Sequence, residues 1–164
     1  MKKETNMTTT FDFGNGPVPA HQHPNGGGWV ADTATVADTA YVWRDARVFD
    51  SARVSGNARI TGNAWVSDNA RVSDNAVVSG NALVSGNARM SDYAVVSDNA
   101  RVSDDAQVSD YAQVSGNAWV FGNARVSDDA WVFGNAQVSD KARVSDKARV
   151  SDDARVSDNA WVVE

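Results

Sequence analysis

The chain contains no cysteine, so it has neither a disulfide framework nor thiol chemistry. Proline is almost absent: Pro17, Pro19 and Pro24 are the only three, and all precede residue 29. Net positive charge is missing as well. With a charge of −6 and a pI near 4.8, the protein lacks the clustered cations that phosphate-backbone binding needs, which argues against nucleic acid as a partner. No apolar run approaches the ~18 residues of a membrane-spanning helix. The start, MKKETNMTTTFDFGNG, has two lysines but no apolar stretch behind them, and does not read as a secretory signal. These exclusions lead to the expectation of a soluble cytoplasmic protein with no membrane partner. Histidine is scarce too: His21 and His23 are the only two. Two close histidines without a third fixed ligand do not define a metal site. No phosphate loop, nucleophile elbow or paired-carboxylate motif is present, so the expectation is no catalytic residue, no metal and no cofactor.

What fills the chain instead is a six-residue beat. From Val30 to Val162 an aliphatic residue recurs every sixth position, with Val at 21 of 23 places and Ile60 and Met90 at the others. Alanine keeps the same beat from Ala34 to Ala160, in all 22 places. A unit reads x-V-S-D/G-N-A, as in Arg71–Ala76 and Leu83–Ala88. Alanine and valine two apart point to one face of a strand, and the x between them points out. The Ser-Asp/Gly-Asn cluster supplies turn formers, since Gly and Asn tolerate positive φ. Spacings of six and four do not keep one face of an α-helix. Each hexad is therefore a short strand plus a corner, and such units bury their inner face only by winding and stacking. Three hexads make an 18-residue triangular coil, and residues 29–164 give roughly seven coils. Residues 1–28, with their prolines and the run Gly26–Gly28, read as an irregular tail and cap. Residues 1–10 are taken as frayed, and Phe11 and Phe13 as a cover for the first coil.

The hexads resemble the hexapeptide-repeat superfamily, and the A-x-V-S-G/D-N phrasing resembles a group of bacterial and phage repeat proteins. The resemblance implies an all-β, left-handed parallel β-helix. It implies several activities, because the superfamily includes acyltransferases, carbonic anhydrases and non-catalytic scaffolds. Its acyltransferases use a histidine base and extra loops around the acyl-donor cleft; the array here has neither. Its carbonic anhydrases use three histidines at a subunit interface. The leading expectation is a non-catalytic scaffold. The alternative is an acyltransferase with an interface site and His21 or His23 as base.

Sorting the outward residues by 18 separates three faces. An arginine face carries Thr35, Arg53, Arg71, Arg89, Gln107, Arg125, Arg143 and Trp161. A second carries Trp29, Arg47, Trp65, Leu83, Arg101, Trp119, Gln137 and Arg155. The third carries Tyr41, Arg59, Val77, Val95, Gln113, Trp131 and Arg149. Aspartates line both edges of the arginine face and read as solvating charges that neutralise it. The remaining corner has glycines beside Asn63, Asn81, Asn99, Asn117 and Asn135, a ladder expected to hydrogen-bond from coil to coil. The faces that meet there suggest an interaction surface of Trp29, Tyr41, Trp43, Trp65, Trp119, Phe121, Trp131 and Phe133. Its expected partners are a second copy, as a homo-oligomer, or a protein or glycan. Trp161, Val162 and Val163 end the sequence in phase and uncapped, an open coil expected to pair end to end.

Overall fold

The computed structural model describes residues 9–164, so eight of the ten residues expected to fray lie outside it. The architecture is the all-β, three-sided parallel β-helix of about seven coils expected from the repeat. Among the described residues no helix is long and apolar enough to cross a membrane. Each hexad contributes a two-residue strand, x-V, with x outward and V buried. Each strand pairs in parallel with the one 18 residues on, from Trp29↔Arg47 to Arg143↔Trp161. The three ladders sorted from the sequence are the three sheets.

The interior is a column of valine and alanine. From Val42 to Ala148 every Val and Ala of the beat, with Ile60 and Met90, is essentially inaccessible to water. Each buried valine contributes roughly 1.5–3 kcal/mol relative to exposure, and valine suits a strand. Two-residue strands cannot hold register by themselves, so the corners matter. In each corner the alanine N–H donates to the C=O three residues back, that of a serine in most corners, as Ala76 to Ser73 at 3.2 Å. The residue after that acceptor takes the strain. At all 19 first turn positions from Asp50 to Asp158, 15 of them after serine and the others after Phe49, Thr61, Phe121 and Phe133, φ lies between 56° and 70°, with Asp at 12 and Gly at 7. Positive φ at the first central residue is the signature of a type II′ turn. The sequence points to Gly and Asn for this role; the structure assigns it to Gly and Asp, with Asn as the second central residue.

Residues 10–22 differ from the irregular segment expected. Strand β1 (Thr10–Asp12) pairs antiparallel with β2 (Pro17–Gln22), and β2 pairs antiparallel with β3 (Trp29–Ala31), the first strand of the second face. Two prolines fit in β2 because alternate N–H groups face opposite edges. The Ala20 N–H donates to Thr9 and the Pro19 C=O accepts from Asp32, so neither bond needs a proline N–H. Asp12 shapes the hairpin turn, its Oδ1 accepting the N–H groups of Gly14 and Gly16 at 2.7 and 3.0 Å. Phe11 and Phe13 do not cover the Val and Ala column. They form a separate apolar cluster with Trp29, Phe49, Ala20 and Ala31. The first coil is instead closed by Asn25–Gly28. Gly28 N–H donates to Val42 O at 3.0 Å, and the Val42 N–H donates to Asn25 O at 3.0 Å. A Cβ on Gly28 would lie 2.2 Å from Trp43 O, which explains glycine there.

The corner geometry predicts a sharp contrast at Asp74, where φ is 62°. Asp74→Val places a β-branched residue in left-handed backbone and should cost about 1–2 kcal/mol. Asp74→Gly should change stability by a few tenths of a kcal/mol, because released strain offsets the lost carboxylate. Chemical denaturation midpoints measure this, and equal losses for Val and Gly would contradict it.

Candidate interaction surface

The outward x positions are set by the strands, so a side chain at x projects at a fixed height along the prism. Several aromatic side chains are fixed further. Trp119 and Trp131 donate from Nε1 to Ser103 Oγ and Ser115 Oγ, each 16 residues earlier, at 3.2 and 3.0 Å. Trp119 lies 4.4 Å from Phe121, and Trp131 lies 4.4 Å from Phe133, between ring centroids. Arg149 sits over Trp131 at 4.8 Å and over Phe133 at 5.4 Å. At the other end Arg47 lies between Phe11 and Trp65, at 5.3 and 5.2 Å. Arg–aromatic contacts of this kind are worth roughly 0.5–1 kcal/mol when exposed.

The eight predicted surface residues do not form one patch. Trp29 is partly covered, stacked on Phe11 at 4.5 Å. Trp65 is at the solvent-facing edge of that same aromatic group, 5.9 Å from Phe49. Tyr41 and Trp43 pair at 5.7 Å, and Trp43 is 47% exposed. Trp131 and Phe133 straddle the third face and the glycine–asparagine corner. Trp119 and Phe121 are different: Phe121 follows Trp119–Val120 and precedes Arg125–Val126, so it lies at the corner between the second face and the arginine face. Its expected place at the glycine–asparagine corner is corrected by that register. Trp161 is 69% exposed, Val163 is exposed, and Val162 packs against the core column.

Two features expected from the corners come out differently. The asparagine ladder forms as expected, Asn63 to Asn81 to Asn99 to Asn117 to Asn135, with amide-to-amide distances of 3.0–3.3 Å. Asn135 then donates to Asp153 at 3.1 Å. The aspartates, however, are not mere solvating charges. The corner carboxylate accepts the backbone N–H of the corner residue in the next coil, as Asp104 from Gly122 at 3.1 Å and Asp98 from Gly116 at 3.1 Å. Among the described residues no arginine pairs with a corner aspartate, and the close contact of a carboxylate with a nitrogen base is that of Asp32 Oδ1 with His21 Nδ1 at 2.8 Å. The arginine face is balanced by nearby charge, not by contact pairs.

Sequence reasoning also missed the stack of Tyr93 on Tyr111, 5.1 Å apart and 4° from parallel; their spacing of 18 could have found it. It placed both histidines in the irregular tail and cap. His23 is instead buried, at 3% exposure, with Nδ1 against the Asn25 N–H at 3.3 Å and Nε2 unpartnered. Among the described residues no three His, Asp or Glu side chains gather as a metal site.

A parallel β-helix of stacked hexads, with a short hairpin extending one of its sheets, is the class these features define. Within that class the YdcK β-solenoid repeat matches residues 52–68, 64–80, 78–92, 94–110, 112–127 and 148–164, together more than half of the chain. The chain belongs to this β-solenoid repeat family. Among solved structures it is similar to a UDP-N-acetylglucosamine acyltransferase from Campylobacter jejuni, at 12% identity and a TM-score of 0.36, over 73% of this chain and 68% of that one. No curated protein sequence matches the chain.

The asparagine ladder carries its own prediction. Asn99→Ala removes two of its bonds and should cost about 1 kcal/mol, given ~0.5 kcal/mol net for each exposed bond. Asn99→Asp keeps the acceptor for Asn81 and should cost about half as much. An Asn99→Ala protein with an unchanged denaturation midpoint would contradict a stabilising ladder.

Proposed function

We propose that the protein is a non-catalytic β-helical scaffold that acts through its outer surface, associating with itself or presenting that surface to a protein or glycan. The observation that supports this most is the fixing of outward aromatic pairs on an unbroken stack. Trp119–Phe121 and Trp131–Phe133 are each held at 4.4 Å, with the tryptophan tied to a serine of the preceding coil. A ring already held in place loses little entropy when a partner covers it, and amphipathic aromatics dominate interface energies.

Light scattering of the full chain across a concentration series tests the reading. The expected mass rises above the 17.5 kDa of one chain as concentration increases. A Trp43→Thr/Trp131→Gln variant should fall back toward one chain while staying folded, its melting temperature lowered by only a few degrees, because Thr61 and Gln113 occupy the neighbouring positions in the same two ladders. A wild-type protein that stays a single chain at every concentration contradicts self-association.

A further inference from the structure

We propose that the third face is the self-association surface, and that it meets the third face of a second copy antiparallel, about a twofold axis through Val95. This rests on the reading of the prism as an interaction scaffold and names the partner, the face and the register. The third face is a ladder of seven outward residues with Val95 at its centre. A twofold axis along the Val95 strand reverses the order of the coils and keeps the two edges of the face on their own sides. Rungs equally far above and below Val95 then meet. Val77 faces Gln113, Arg59 faces Trp131, and Tyr41 faces Arg149 of the second copy. The central Val95 rung is apolar, valine meets glutamine on either side of it, and toward each end every aromatic residue faces an arginine. Arginine over an aromatic ring is attractive, and more so once water is excluded.

The shape of the face agrees with the charge pattern. Tyr41, Trp43, Arg59 and Thr61 line an open cleft of about 340 Å³. The twofold operation that sets Trp131 opposite Arg59 also sets Phe133 opposite Thr61, since each lies two residues further along. The Trp131–Phe133 pair, ordered by the Trp131 bond to Ser115, thus comes down on that cleft. In the pair of chains Trp131 lies between Arg149 of its own chain, at 4.8 Å, and Arg59 of the other.

The other faces fit less well. Any antiparallel pairing of the arginine face about its midpoint sets Arg53 against Arg143 and Arg71 against Arg125, which repel. The second face has a comparable pattern about Leu83, but Phe11 of the hairpin stacks on Trp29, and Arg47 is engaged with Phe11 and Trp65. The top of that face is already covered. Six steps of about 4.8 Å along the third face, by roughly four to five residues across at ~3.3 Å, give about 400–450 Å² per copy. A total near 900 Å² belongs to weak, reversible dimers, with dissociation constants on the order of micromolar.

The test uses the full chain and two single substitutions to a residue native to the same ladders. Val95→Arg sets two like charges against each other on the axis, and Arg59 and Arg149 show that the ladder accepts arginine. Leu83→Arg makes the same change on the second face, where Arg101 stands next in the ladder. Sedimentation velocity up to high micromolar concentration should show a monomer–dimer equilibrium for wild type and Leu83→Arg, and a dissociation constant raised at least tenfold for Val95→Arg. Because the chain has no cysteine, Val95→Cys offers a second reading. A short bismaleimide should link two copies at Cys-substituted position 95, and should not link copies carrying Arg71→Cys. A dimer indifferent to Val95→Arg, or one broken by Leu83→Arg alone, overturns this face while leaving self-association intact. A wild type that never dimerises overturns self-association through any face.

Discussion

The first turn residue of each hexad from Asp50 onward, held in left-handed backbone, is the constraint on which the prism depends. A strand of two residues has too few ladder bonds to set its own register. The left-handed Asp or Gly closes the corner in four residues, and its carbonyl accepts the N–H of the corner asparagine, aspartate or tyrosine in the coil before, as Asp92 O does from Asn75 at 2.8 Å. Where that residue is aspartate it adds a second link in the other direction, taking the next corner's N–H on its carboxylate, as Asp92 does from Asp110. Register is thus set at the corners and read out on the faces. This is why 19 successive corners repeat one conformation, and why the column of valine and alanine closes without a gap.

A surface built on such a frame inherits its regularity. Each outward side chain sits at a height fixed by coil number, so the order of residues along a ladder is also their order in space. Patterns along a ladder then acquire geometric meaning that they would lack on a less regular fold. The centre-symmetric order of the third face is an instance. The hairpin of residues 10–22 breaks the equivalence of the faces by packing Phe11 and Phe13 on one end of the second.

Much of this was legible in the sequence, because one period governs everything from Trp29 onward. The strands, the 18-residue register, the residues of each ladder and the asparagine bonds all follow from counting. What counting could not supply was direction. Asp104 looks like a solvating charge until its left-handed backbone aims the carboxylate along the axis at Gly122. Pro17 and Pro19 argue against a strand until the alternation of N–H groups leaves theirs unneeded. His23 is hidden by the loop that carries Gly26–Gly28, a tertiary effect with no local signal. Phe121 is a different case: its ladder position was countable, and places it at the corner shared with the arginine face.

If the corners set the register, their backbone amides fall into two classes. Corner amides such as Asp110 and Gly122 have an aspartate 18 residues earlier and are bonded to its carboxylate, at 3.5 and 3.1 Å. Asp98 and Asp140 have Gly80 and Gly122 in that place, which offer no carboxylate. Residue-resolved hydrogen exchange of the native protein should therefore show Asp110 and Gly122 protected about 3–10-fold more than Asp98 and Asp140, the equivalent of one net hydrogen bond. Uniform exchange across all four corner amides would contradict the account.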